Sequence, residues 1–185
     1  IEEQKKCHVS DEEDGSRMVF SAEYDWYLYV SQTAEVECGT FGGNATIRDG
    51  ALTIRIKSLV PSVEGDGDAE QLLREQSVGF VKTELAEQSS GASGLTFVPE
   101  KLGRSKRPAL CVESDLDLKG TPGKVVACVT SKKNINDEVV VHRVVWVGPA
   151  DSYDSKATVK LVKEAAANWY RRSDTDGMGK LLRPW

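Results

Sequence analysis

The sequence lacks any apolar run of the ~20 residues that a membrane-spanning helix requires. Its longest apolar stretch, residues 139–147, is interrupted by His142 and Arg143. The sequence has no G-x-S-x-G motif, which is typical of a hydrolase nucleophile elbow. It also has no C-x-x-C motif, which is typical of zinc ribbons and thioredoxin-type sites. Basic residues are fewer than acidic ones, 24 against 29, and the net charge is -5. That balance argues against nucleic acid as a partner, because phosphate binding needs a basic face.

Signatures of metal and cofactor binding are also missing. Three acidic runs, 11–15, 64–68 and 174–177, look like calcium loops, but none has the glutamate that the twelve-residue calcium loop places six residues after its glycine. A weak calcium site of another geometry stays open. We interpret His142 as a strand residue and His8 as part of a charged segment, since no nucleophile or ligand motif accompanies either. We therefore predict no metal site and no cofactor.

Four cysteines are present, and four cysteines allow three disulfide pairings. Cys111 and Cys128 lie on two strand-like segments joined by a turn centred on residues 119–120. Such a turn puts them opposite each other, where cross-strand Cβ atoms approach to about 4.5–5.5 Å, close to disulfide range. By elimination, Cys7 then pairs with Cys38.

The compartment is predicted from the same cysteines. Their even number, and a first residue, Ile1, that is not methionine, favour an extracytoplasmic protein, either periplasmic or secreted. The alternative is a cytosolic protein with four buried free thiols. With 39% hydrophobic and 29% charged residues, the composition is that of an ordinary soluble globular domain.

Strands and helices are segregated along the chain rather than alternating. An Asp-Gly pair at 49–50 supplies the positive φ angles of a tight hairpin turn. Helical spacing of apolar residues marks two longer segments. The pattern predicts strands at 18–20, 26–30, 34–38, 46–48, 51–56, 95–98, 109–116, 124–130 and 139–147, and helices at about 68–88 and 155–170.

This order predicts an α+β fold with an antiparallel sheet and two main helices packed on one face of it. A parallel, doubly wound sheet is disfavoured because regular strand-helix-strand alternation is missing. We predict a single domain over 17–170, preceded by a mobile acidic arm, 1–16, and followed by a loose tail, 171–185.

Five features stand in an order known from another fold: an aromatic early strand (Asp25-Trp26-Tyr27), a hairpin leading into 52–56, a middle helix, a meander over 109–147, and a closing helix over 156–170. In this order the chain resembles the Mog1/PsbP-like fold over about two-thirds of its length. The resemblance implies a non-enzymatic accessory or binding protein, often exported in bacteria. It names no partner, because one fold hosts several roles.

Two groups of residues are candidates for binding another protein. An imperfect alternation of Trp26, Tyr27 and Tyr29 predicts that at least one aromatic faces outward as an anchor; the alternative is that all three fill the core. A basic segment could meet an acidic partner or a phosphate-bearing surface, or be an ordinary solvated loop. It consists of Lys101, Arg104, Lys106 and Arg107.

The function that we predict is an exported, non-catalytic binding or accessory protein with a protein partner, for example a periplasmic immunity-type or escort protein. One alternative is a small hydrolase. It would use His142 or the carboxylates of Glu113, Asp115 and Asp117, which alternate along one strand and could act as a pair in glycoside cleavage or simply face solvent. A further alternative is a carrier of a small apolar ligand, held between sheet and helices.

Overall fold

The computed structural model describes residues 7–21, 24, 26–39, 43–60, 69–133 and 138–167. The predicted tail, 171–185, the end of the closing helix and the first six residues of the predicted arm lie outside this part of the chain. All structural statements below concern the described residues.

Antiparallel pairing joins the strands into two sheets. The smaller sheet has the order β1-β2-β3 and consists of β1 (His8–Asp11), β2 (Arg17–Ser21) and β3 (Trp26–Val30). It begins earlier than the sequence pattern indicates, because His8 to Asp11 pair with β2. The larger sheet contains seven described strands, which are, in spatial order, β4 (Glu35–Cys38), β5 (Asn44–Asp49), β6 (Leu52–Leu59), β10 (Val139–Pro149), β9 (Thr121–Lys133), β8 (Arg107–Leu118) and β7 (Val98–Leu102).

Two tight turns fix the register of the larger sheet. Gly50, with φ 62°, and Ala51 form the turn of the predicted β5–β6 hairpin, one residue later than the predicted Asp49-Gly50 turn, because Asp49 pairs with Leu52. Lys119 and Gly120, with φ 55° and 97°, form the two-residue turn between β8 and β9. Positive φ at both positions matches a type I′ turn, whose twist suits paired strands. With that turn in place, Cys111 stands directly opposite Cys128.

The two helices, α1 (Ala69–Ala86) and α2 (Ser155–Ala167), lie on opposite faces of the larger sheet. Alternate residues of β9 show this division. Val125, Ala127 and Val129 belong to the core under α1, whereas Val126 and Cys128 belong to the core under α2. The α+β class with antiparallel strands is confirmed, but the prediction that both helices pack on one face is wrong.

The physical reason is visible in the central strands. A sheet with a helix layer on each side must be apolar on both faces, and β9 and β10 are nearly continuous apolar runs. In the described part of the chain, neither helix combines the length and apolar character that crossing a membrane requires.

The smaller sheet shares the α2 side of the larger one. Val19, Trp26 and Leu28 pack in the same core as Ile54 of β6 and Val162 of α2. The Cys7–Cys38 disulfide joins the residue before β1 to the end of β4, with a Cα–Cα distance of 5.3 Å. In the described part of the chain, α1 therefore lies on one face of a seven-stranded sheet, with α2 and a three-stranded sheet on the other.

Candidate functional site

Both disulfides have the pairing that the sequence favours. Cys111 and Cys128 are buried on the α2 side, with a Cα–Cα distance of 4.2 Å, and no cysteine is free. Two disulfides fit a protein of an oxidising compartment. Glu100 places a carboxylate oxygen within 4.8 Å of both sulfurs. This group is no metal site, because the sulfurs are bonded to each other and Glu100 accepts a hydrogen bond from Lys163 at 2.8 Å.

The early aromatic strand does not offer the predicted exposed anchor at its first two positions. Trp26 is completely buried, and Tyr27 is 3% exposed. Tyr29 is half-buried and makes an edge-to-face contact with Tyr27 at 5.9 Å between ring centroids. The alternative, that these aromatics fill cores, is correct for Trp26 and Tyr27. Trp26 points into the main core because β3 alternates, so that Tyr27 and Tyr29 share the opposite side of the small sheet.

Three of the four predicted basic residues lie together on the surface. Lys101, Arg104 and Lys106 are exposed near the end of the β7–β8 hairpin, and we call these three residues the basic hairpin. None of them forms an ion pair with a residue that the structure describes. Arg107 is only 8% exposed, so its predicted place on this surface is wrong. Its side chain turns inward because it shares the parity of buried Ala109 along β8.

The carboxylates of the hydrolase alternative each have another partner. Glu113 accepts hydrogen bonds from Tyr153 Oη at 2.5 Å and from Ser155 Oγ at 3.2 Å. Burial, together with the hydrogen bond to Glu113, raises the pKa of Tyr153. Asp115 forms an ion pair with Lys124, and this contact raises the pKa of the lysine.

Asp117 completes this strand face. Its Oδ1 accepts a hydrogen bond from the Gly120 backbone N–H at 2.7 Å and so supports the β8–β9 turn. Glu113, Asp115 and Asp117 are all exposed. The arrangement is that of a solvated strand face, without the enclosed, apolar surroundings that a general acid in glycoside cleavage needs.

His142 is completely buried in the centre of β10. Its Nε2 lies 3.1 Å from the carbonyl oxygen of Ala165, and its Nδ1 lies 2.6 Å from Ser58 Oγ. A carbonyl oxygen only accepts, so Nε2 carries the proton and Nδ1 accepts from the serine hydroxyl. Burial lowers the pKa of His142 to about 3. The pair resembles a serine nucleophile with its base, but Ser58 is 6% exposed and His142 0%, so substrate has no access to it.

A cleft that the sequence analysis did not predict lies between α1 and the larger sheet. Because α1 packs over β8, β9 and β10, strands β5 and β6 are uncovered on that side, and the side chains of Thr53, Arg55 and Lys57 point into the gap. The cleft has a volume of about 430 Å³, within the range of small-ligand sites. We call it the α1 cleft.

Charged side chains form one wall of the α1 cleft. Glu84 of α1 accepts from Lys57 Nζ at 2.9 Å and from Arg143 Nη1 at 3.4 Å. The Arg143 guanidinium also lies 5.9 Å from the centroid of the Phe80 ring, which is 61% exposed on α1. Arg143, a charged residue in the largely apolar strand β10, is the sequence signal that could have pointed to this site.

Apolar side chains form the floor of the α1 cleft. They come from one face of β10 and from the last turns of α1, and they are Val81, Leu85, Val145 and Val147. The cleft thus combines an apolar surface with charges on one side, an arrangement that can orient a small amphipathic ligand.

Comparison of the chain with protein-family models, with curated proteins and with solved structures gave no match. The resemblance to the Mog1/PsbP-like fold therefore stays a prediction, and the function is inferred from the geometry alone.

Proposed function

We propose that this chain is an exported, non-catalytic binding protein that contacts an acidic protein partner through the basic hairpin. The observation that carries the proposal is the set of three exposed cations, Lys101, Arg104 and Lys106, without ion pairs in the described part of the chain. They stand together in a protein of net charge -5, so they form a local exception to its overall charge. Complementary charge of this kind steers association and fixes the orientation of a partner.

Strand pairing, a disulfide and an ion pair hold the β7–β8 hairpin, which carries the basic hairpin residues, in place. Strand β8 pairs with β7 and β9, and the Cys111–Cys128 disulfide fastens it to β9. Lys163 of α2 forms an ion pair with Glu100 of β7 at 2.8 Å. A surface on a rigid element loses little conformational entropy on binding, which favours affinity.

Gly103 lets the hairpin end lie close to α2. Its φ is 69°, in the region that favours glycine, and a Cβ at this position would lie 3.2 Å from Cβ of Ala167. The turn therefore keeps Arg104 and Lys106 at a fixed place beside the helix.

Two further features support the wider proposal. The pair of disulfides favours an oxidising, extracytoplasmic compartment. The partners found for Glu113, Asp115, Asp117 and His142 favour binding over catalysis, because each group is already engaged in holding the fold. A periplasmic immunity-type or escort protein is one role of this class.

The test compares three forms of the full chain as bait in an extracytoplasmic fraction of the source cells. The first is the native chain and the second is Lys101→Gln/Arg104→Gln/Lys106→Gln. The matched control is Lys119→Gln/Lys156→Gln/Lys160→Gln, which removes the same charge from exposed lysines elsewhere and likewise includes one lysine of positive φ.

We expect one protein to be retained by the native chain and by the control, and to be lost from the hairpin variant by at least about tenfold, since each close charge pair contributes measurably to association. Recovery of no specific protein would contradict the binding function. Equal retention by all three forms would contradict the assignment of the hairpin as the contact surface.

A further inference from the structure

We propose that the α1 cleft is a binding site for a small amphipathic ligand that carries a single carboxylate. This site is separate from the basic hairpin and does not depend on the proposed protein binding. Arg143 anchors the carboxylate, Arg55 assists it, and the apolar floor holds the body of the ligand.

Arg143 is the centre of the proposal because its hydrogen-bonding capacity is unfilled. Its residue exposure is 8%, and its Nε has no hydrogen-bond partner in the described part of the chain. The contact that its Nη1 makes with Glu84 is long, at 3.4 Å. Buried polar groups nearly always have a partner, and a guanidinium has paired N–H groups that match a carboxylate. The Arg143 side chain lines the cleft, so a ligand carboxylate there can accept hydrogen bonds from its guanidinium.

Arg55 is the second cation of the site. It is exposed, lines the same cleft, and makes no ion pair with any described residue. Thr46 on β5 and Val145 on β10 are its neighbours across the strands, so no carboxylate stands beside it in register. Arg55 is therefore available to a ligand.

The net charge of the side chains that line the cleft favours a ligand with one negative charge. Three cations, Arg55, Lys57 and Arg143, face two carboxylates, Glu84 and Glu87. The carboxyl end of α1 also borders the cleft and adds a partial negative charge. The small positive surplus suits a monoanionic carboxylate better than a phosphate dianion.

Glu84 occupies the position that a ligand carboxylate would take. It bridges Lys57 and Arg143, and its side chain is 43% exposed, so it can turn toward solvent when a ligand enters. Glu84 is thus an internal competitor. Removing its charge should strengthen ligand binding, which is an effect that a purely structural ion pair would not produce.

The apolar floor of the cleft requires that the ligand have an apolar body in addition to its single negative charge. Val81, Leu85, Val145 and Val147 give the ligand an apolar surface on which to rest. A straight-chain carboxylate such as hexanoate meets both requirements, whereas acetate lacks the apolar body, hexylamine has the wrong charge, and inorganic phosphate lacks the body and carries too much charge.

The experiment titrates hexanoate, acetate, hexylamine and inorganic phosphate into the full chain and follows binding by NMR chemical-shift changes and by calorimetry. The variants are Arg55→Gln and Glu84→Gln, both at solvent-accessible positions. Arg48→Gln is the control, because Arg48 lies on the same sheet face but outside the cleft, where it pairs with Glu37 at 3.5 Å.

We expect saturable binding of hexanoate, with weaker binding of the other three probes. Arg55→Gln should weaken it by about tenfold, Glu84→Gln should strengthen it several-fold, and Arg48→Gln should leave it unchanged. Absence of saturable hexanoate binding by the native chain would overturn the site. Equal affinity for acetate would overturn the role of the floor. Unchanged affinity in both cleft variants would place any binding elsewhere.

Discussion

His142 of β10 donates its Nε2 proton to the carbonyl oxygen of Ala165 in α2, 3.1 Å away. The bond ties the strand between β6 and β9 to the helix that covers it. Its other nitrogen accepts from Ser58 on β6, and its ring stacks on Trp26 of the smaller sheet at 5.9 Å between centroids. One neutral imidazole therefore connects β10 with three other elements of the fold, and burial disfavours its charged form.

The stability of the protein should fall as the pH falls from about 6.5 to about 3. An unfolded chain binds a proton at His142 near pH 6.5, whereas the folded chain binds it only near 3. Between these values the unfolded state holds more protons, so this group lowers the free energy of unfolding by roughly 1.4 kcal/mol for each pH unit of acidification. Denaturant unfolding at pH 7, 5.5 and 4.5 measures the effect.

The variant His142→Gln separates this contribution from that of the carboxylates, which also titrate. Glutamine has no charge to gain, so the variant should be less stable than the native chain at pH 7 by about 1–3 kcal/mol, through its altered hydrogen bonds. The difference should shrink as the pH is lowered. A difference that stays constant from pH 7 to 4.5 would show that His142 does not resist protonation.

All four cysteines should be unreactive in the denatured protein until a reductant is added. A thiol assay under denaturing conditions should count no thiol without reductant and four with it. Four reactive thiols in the unreduced protein, purified without reductant from its native compartment, would remove the support for export.

The two disulfides should contribute by similar amounts to stability. Replacing Cys111 and Cys128 by alanine opens a loop of 17 residues and should cost about 3 kcal/mol. Replacing Cys7 and Cys38 opens one of 31 residues and should cost slightly more, because a longer loop restricts the unfolded chain more strongly. Urea unfolding of the two double variants gives the comparison, and a negligible cost for both would contradict the pairing.

Local chemistry in the sequence predicted the β8–β9 hairpin well. The Lys119-Gly120 turn set the register of β8 and β9, and from that register came the Cys111–Cys128 pairing. The β5–β6 turn lies one residue later than the Asp49-Gly50 pair predicts, because Asp49 pairs with Leu52, and only Gly50 of the predicted pair has a positive φ. Such turns need positive φ angles, which few residues adopt without strain, so they leave a clear signal in the sequence.

Placement of the layers was harder to predict. The helices were assigned to one face from element order alone, although the apolar run of β10 already indicated a sheet covered on both sides. The α1 cleft depends on how much of the sheet α1 covers, which is decided by tertiary packing. Residues 53–57 of β6 and 143–147 of β10 line the cleft, but their local sequence does not indicate that a helix ends beside them.

Trp26 and Phe80 should differ sharply when each is replaced by alanine. Trp26 is completely buried among core residues of both sheets, so Trp26→Ala should cost about 3–5 kcal/mol. Phe80 is 61% exposed, and Phe80→Ala should cost less than about 1 kcal/mol. Urea unfolding measures both. Similar costs would show that the aromatic strand does not point into the core.

Replacing either of two glycines by alanine should change the free energy of unfolding, but in opposite directions. Gly79 lies within α1 with no heavy atom within 4 Å of a Cβ built on it, so Gly79→Ala should stabilise the protein by about 0.5–1 kcal/mol through helix propensity. Gly43 precedes β5, and a Cβ there would clash with the carbonyl oxygen of Ser58. Because the obstacle is backbone, it cannot move without disturbing β6.

Gly43→Ala should therefore destabilise the protein by at least about 2 kcal/mol, as overpacking against fixed structure does. The strain falls on the Ser58 segment, which also holds the hydrogen bond to His142 at 2.6 Å, so the loss should be accompanied by a changed pH dependence. Thermal unfolding of both glycine variants at pH 7 and pH 5 tests this. If Gly43→Ala were as stable as the native chain, β5 could not approach Ser58 as closely as described.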